Sequence, residues 1–115
     1  MNFELYKDDK LILKETNLEY QQEKNTIFFQ LENIKHQLNF EKKILERFND
    51  EFHFYINLEE EKCTYELKSH QAVFDIIVDQ AFFRKEENII EVEYVIETDD
   101  AKTKILIELK KEIDK

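Results

Sequence analysis

The chain has no glycine, no proline and no tryptophan, and only one cysteine and one methionine, among its 115 residues. Each absence excludes something. Phosphate-cradling loops of the P-loop or dinucleotide-binding kind bring backbone up to phosphate through glycines, so neither is available here. A nucleophile elbow flanked by glycines is excluded on the same ground, and no catalytic motif is found. The lone cysteine, Cys63, has no internal partner for a disulfide. Positive charge is also scarce: 17 Lys and Arg stand against 27 Asp and Glu, a formal net charge of -10. That balance opposes direct binding to nucleic acid or to an anionic membrane, since both require a basic footprint. No apolar run approaches the roughly 18 residues of a membrane-spanning helix. The opening stretch, MNFELYKDDK, carries charges where a secretory leader needs an apolar centre. A cytoplasmic protein is expected.

What is present is apolar enough to fold. Hydrophobic residues make up 42% of the chain and ten of its residues are Phe, sufficient for a single domain over residues 1–115 without disulfide or metal. Alternation with a period of two dominates the second half and puts one set of side chains on each face of a sheet. Phe52, Phe54, Ile56 and Leu58 alternate with His53, Tyr55, Asn57 and Glu59; Ile90, Val92, Tyr94 and Ile96 alternate with Glu91, Glu93, Val95 and Glu97. Strands are expected at Phe3–Tyr6, Lys10–Tyr20, Thr26–Glu32, Phe52–Leu58, Cys63–Lys68, Ala72–Asp79 with a continuation through Arg84 after a bulge at Gln80, Ile89–Glu97 and Lys102–Leu109. Without glycine, Asn and Asp are the residues best able to take the left-handed turn conformation. They place turns at Asp8-Asp9, Asn25, Asn49-Asp50, Asn88 and Asp99-Asp100. The stretch from Leu31 to Phe48 fits two descriptions. Leu31, Ile34, Leu38, Leu45 and Phe48 form a helical stripe, while His36–Phe40 and Lys43–Phe48 also read as strands. Lys110 to Lys115 fits a short helical tail.

From about Ile27 onward the order of elements resembles the YwiB-like family of small bacterial calycin-like barrels. The residues that carry the resemblance are Ile44-Leu45-Glu46-Arg47, the aromatic strand and acidic turn from Phe52 to Lys62, Thr64-Tyr65-Glu66-Leu67, Val73 to Asp79, Glu91-Val92-Glu93-Tyr94, and Ile105-Leu106-Ile107-Glu108-Leu109. Where that family usually has glycine, this chain has Phe48-Asn49 and His70-Gln71. The resemblance implies an all-β, antiparallel, up-and-down calycin-like barrel of about eight strands, with at most one short helix. It also implies strands over residues 36–48. It assigns no activity and no site residue.

Several side chains carry chemistry. His36, His53, His70 and Cys63 do not have the spacing of a zinc site, so no metal or cofactor is assigned, and the histidines read as surface or rim residues. Cys63 reads as a buried thiol, with His53 on the opposite face of its hairpin. Glu91, Glu93 and Glu97 lie on an outward face opposite Lys102 and Lys104, a pattern of cross-strand charge pairs. Arg47, Tyr65 and Tyr94 stand apart: the two tyrosines fall among inward residues, and if Arg47 also points inward the three polar groups converge. A few polar groups in an apolar wall are what a small-ligand pocket presents, and a satisfied core network is the alternative. These residues suggest a non-catalytic protein binding a small apolar or amphipathic ligand. The rival reading is an acidic interaction module that engages a basic partner or mimics nucleic acid. Phe28, Ile77, Ile89, Val95 and Leu106 make the outward face partly apolar, which calls for an internal cover or a homodimer.

Overall fold

A computed structural model describes residues 1–110. It is all-β and antiparallel. Eleven strands are present where about eight were expected: β1 (Asn2–Lys7), β2 (Lys10–Glu15), β3 (Tyr20–Glu23), β4 (Thr26–Leu31), β5 (Ile34–Asn39), β6 (Ile44–Phe48), β7 (Phe52–Asn57), β8 (Lys62–Leu67), β9 (Ala72–Glu86), β10 (Ile89–Ile96) and β11 (Asp99–Glu108). The only helical element among the described residues is a 3-10 turn at Lys68–His70. The extra strands come from two places. The segment expected as one long strand, Lys10–Tyr20, is broken at Thr16–Glu19 into β2 and the start of β3. The ambiguous stretch forms β5 and β6 rather than a helix. Its side chains at even positions, His36 and Leu38, are buried, and Leu45 is buried opposite Leu38, so burial follows a period of two. The expected tail lies outside the described residues apart from Lys110.

The strands form one sheet in the order β2-β1-β11-β10-β9-β8-β7-β6-β5-β4-β3. Every neighbouring pair is consecutive in the chain except β1 and β11. The long strand β9 serves both halves: residues Ala72–Ile77 pair with β8, and Val78–Glu86 pair with β10. The register shifts where Val95 faces Gln80 and Ile96 faces Val78. Asp79 is therefore the extra residue, one position from the bulge expected at Gln80, and the bulge sharpens the bend there. The sheet curls into a half-barrel with one half facing the other. The rings of Phe3 and Phe29 meet at 5.6 Å, and those of Phe54 and Tyr94 at 5.9 Å. Residues from both halves share one core, including Phe3, Ile27, Leu38, Ile56, Ile90, Val92 and Ile107. Met1 ties the loop before β3 to β1: its amino group donates to the Leu18 carbonyl at 2.7 Å and its carbonyl accepts from the Leu18 N–H at 2.8 Å. On the convex side, Ile77 and Ile89 remain exposed.

Turns without glycine are built in two ways. In the first, an Asn side chain folds back on the turn: Asn39, Asn49 and Asn57 each accept two backbone N–H bonds through Oδ1, from residues two and three positions on. In the second, a non-glycine residue takes a positive φ. Asp8, Asp9 and Asn17 do so, as expected of their types, but so do Lys24, Glu32, Lys43, Glu61, Gln71 and Glu87. At Asn25 and Asn88 the Asn lies beside the strained residue rather than being it, and Asp99-Asp100 begins β11 instead of forming a turn. Three of these turns share a clamp. Gln22, Gln30 and Lys85 reach two residues forward and donate to the carbonyls of Lys24, Glu32 and Glu87 at 3.1, 3.1 and 2.7 Å. A left-handed conformation costs an ordinary L-residue about 1–2 kcal/mol. Lys24→Gly, Glu32→Gly and Glu87→Gly are each predicted to raise unfolding free energy by about 0.5–1 kcal/mol after the entropy of glycine is offset, with Asp8→Gly gaining less. Urea titrations check this, and lower midpoints in the first three variants would contradict it.

Candidate functional site

Cross-strand register sets one row of unusual side chains across the concave face. From β3 to β9, Tyr20 faces Phe29, Phe29 faces His36, His36 faces Arg47, Arg47 faces Phe54, Phe54 faces Tyr65 and Tyr65 faces Phe74. The row two residues away along each strand is of another kind. Ile27, Leu38, Leu45, Ile56, Cys63 and Ile76 follow one another in the same order, and all but Ile76 are buried. Strand alternation thus separates an aliphatic floor from an aromatic and polar row beside it.

Arg47 lies at the middle of that row. Its guanidinium carbon sits 4.7 Å from the centre of the Phe54 ring, a cation–π contact. One terminal nitrogen donates to the Tyr94 hydroxyl at 3.2 Å, from the opposite half of the sheet. No ion pair among the described residues involves Arg47, although the chain is rich in carboxylates. Its Nε is buried without a hydrogen-bond partner, and so is Nδ1 of His36. The His36 ring stacks on Phe29 at 4.8 Å and meets the edge of Phe3 at 6.2 Å. Burial, reinforced by the charge of Arg47, lowers the His36 pKa to about 4, so this imidazole is neutral at pH 7. Burial pushes the Cys63 thiol up to about 11, with Arg47 opposing part of that rise. Cys63 is a thiol packed in the floor, not a thiolate.

Of the three residues singled out in the sequence, Arg47 and Tyr94 are in direct contact, and Tyr65 flanks Phe54 and stacks on Phe52 at 5.9 Å. Phe54 is the hub that touches or neighbours all of them. His36 was expected at the surface or rim and is instead only 7% exposed. The signal that finds it is the strand alternation of β5, which the competing helical stripe hides. The other histidines are elsewhere: His53 is on the convex side 3.1 Å from Glu46, and His70 is in the exposed 3-10 turn beside Ser69. No group of three or more metal-ligating side chains is gathered among the described residues. The expected charge ladder is only partly present. Glu93 faces Lys104, but Glu91 takes Arg84 at 3.1 Å, Glu97 accepts the Ile77 N–H at 3.0 Å, and Lys102 reaches Asp9 at 3.4 Å.

Of two cavities, one adjoins the row. A wide cleft of about 1450 Å³ opens at its Tyr20 end, where Leu18, Tyr20, Phe29, His36 and Leu109 meet Lys35. A smaller one of about 340 Å³ lies beside Tyr94, between Asp79, Phe82 and Lys102. Neither is lined by Arg47 or Tyr65. Comparison with known families, curated proteins and solved structures finds no match to this chain.

The lowered His36 pKa makes stability depend on pH. Between about pH 6.5 and pH 4 the unfolded chain binds a proton that the folded chain does not, so stability falls as pH drops through that window. The full contribution is on the order of 3 kcal/mol, since each tenfold loss of proton affinity is worth about 1.4 kcal/mol. His36→Phe, which keeps a ring against Phe29, is predicted to remove this slope. Its advantage over the parent chain should grow as pH falls from 6.5 to 4 in denaturant unfolding. Parallel curves for the two proteins would exclude the buried imidazole as the cause.

Proposed function

We propose that the protein is a non-catalytic binding protein that holds a small amphipathic molecule bearing one anionic group along the concave row. The observation that carries this reading is the unmatched guanidinium of Arg47, turned onto the concave face of a strongly acidic chain yet paired with no carboxylate among the described residues. A partly desolvated cation without a counter-charge carries a cost, and a bound anion supplies one. Tyr94 accepts a hydrogen bond from Arg47 and keeps its own O–H to donate. An anionic oxygen placed there meets the phenol and the guanidinium together. Arg47 is only partly buried, although its Nε is shut off from solvent.

The apolar body of the ligand has a place beside the head. Tyr20, Phe29 and Leu18 line the open cleft, with Phe29 two strands from Arg47 and the neutral His36 between them, contributing a polar edge without charge. Tyr65 and Phe54 continue the aromatic surface on the other side of Arg47. On this reading the half-barrel belongs with the small calycin-like barrels that the sequence resembles, and it acts in the cytoplasm.

Thermal-shift and calorimetric titrations with straight-chain alkyl carboxylates test the proposal, with alkylamines of equal length as the contrast. Carboxylates should stabilise the protein increasingly with chain length, and amines should not. Arg47→Met should weaken carboxylate binding by about 10- to 100-fold, the equivalent of one charged hydrogen-bonded contact, while leaving the chain folded. Equal responses to amines and carboxylates, or unchanged binding by the Met variant, would refute the proposed site.

A further inference from the structure

Among the described residues the sheet has a third free edge besides β2 and β3. Residues Ala72–Ile77 of β9 pair with β8 on one side only, because β10 leaves β9 at Val78. The backbone of Ile77 points away from β8: its carbonyl accepts from the Glu97 N–H at 3.0 Å, and its N–H donates to the Glu97 carboxylate at 3.0 Å. Strand alternation then turns the N–H and C=O of Asp75 and Val73 to the same open side. Beside exposed Asp75, two large apolar side chains there lie in water: Val73 is 63% exposed and Phe74 52%.

The other two edges are guarded. β2 carries Lys10 and Lys14 and a register shift against β1, and β3 is four residues long with a largely polar sequence. Lysines, bulges and shortness are the usual means of keeping an edge from pairing. Ala72–Ile77 has no lysine and no irregularity until Asp79.

We infer that this edge pairs with the same edge of a second copy, antiparallel about a two-fold axis at Phe74. Of the registers centred on Phe74 and on Asp75, the first is the favourable one. With the axis at Phe74, Val73 faces Asp75 of the other copy, and each such pair exchanges both of its outward backbone hydrogen bonds. Phe74 meets its own counterpart in the close, non-hydrogen-bonded pair where side chains approach most. The two aromatic rows then join end to end. An axis at Asp75 instead sets two carboxylates opposite each other, which is destabilising. Glu97 already occupies the Ile77 backbone, so pairing stops after Ile76. Each copy carries a net charge of -10, so the dimer forms against mutual repulsion and strengthens as salt screens it. A basic partner seated on an acidic surface shows the opposite salt dependence.

Light scattering coupled to size exclusion, over a dilution series at low and high salt, reads this directly. The expected result is a concentration-dependent dimer that is more populated at high salt. Val73→Pro removes an outward N–H without touching the β8 ladder and should leave a monomer. Phe74→Cys places a thiol on the axis beside its copy and should yield a covalent dimer with oxidised glutathione, since Cys63 is buried and does not compete. The cross-link decides the register even if the proline variant does not fold. A monomer at every concentration, a dimer that salt dissolves, a Val73→Pro chain that still dimerises, or no Phe74→Cys cross-link would overturn the inference.

Discussion

The whole molecule depends on the contact of a sheet with itself. An antiparallel sheet with one apolar face must bury that face, and most such sheets do so against a helix or a second sheet. Here the described chain has no long helix to offer, so the sheet curls until its two halves meet. Phe3 packs on Phe29 and Tyr94 on Phe54, and the buried residues of both halves form one cluster. The shared strand β9 makes this possible, because its bulge at Asp79 lets one backbone run continuously through both halves. The curl also brings Tyr94 over Arg47, residues that are 47 positions apart in the chain.

A chain without glycine has to make these reversals by other means. Asn side chains take the place of backbone acceptors at three turns, and elsewhere Lys, Glu and Gln occupy the left-handed region. The clamps from Gln22, Gln30 and Lys85 offset part of that cost, since each holds the carbonyl of the strained residue. Local strain is distributed over many turns instead of being concentrated in one. The core that tolerates it is deep, with Ile27, Leu38, Ile56 and Ile90 fully excluded from water.

The polar row follows from the same register. Once Leu38 faces Leu45 in the floor, His36 must face Arg47 two residues along, and Arg47 must face Phe54. Burial then makes His36 neutral and Cys63 unreactive, so Arg47 is left as the charged group of this row. The charge is partly stabilised by the face of Phe54 and by one phenol, which is a weaker environment than a carboxylate would give. No carboxylate among the described residues pairs with it.

By itself the sequence determined the strand-rich class, the inward set of the second half and the place of Tyr65 and Tyr94 within that set. All of these are local consequences of side chains alternating across a pleat. It also determined which chemistries are closed to a chain without glycine. Only the tertiary structure decided that there are eleven strands, that His36 is buried, and that Lys24 and Glu87 rather than their Asn neighbours take the positive φ. Leu31 to Phe48 fits helical and strand periods almost equally, so the choice between them falls to β4 and β7, which pair with it from both sides. The row from Tyr20 to Phe74 was hidden for the same reason: its members are scattered along the chain, and only cross-strand register, a non-local property, lines them up.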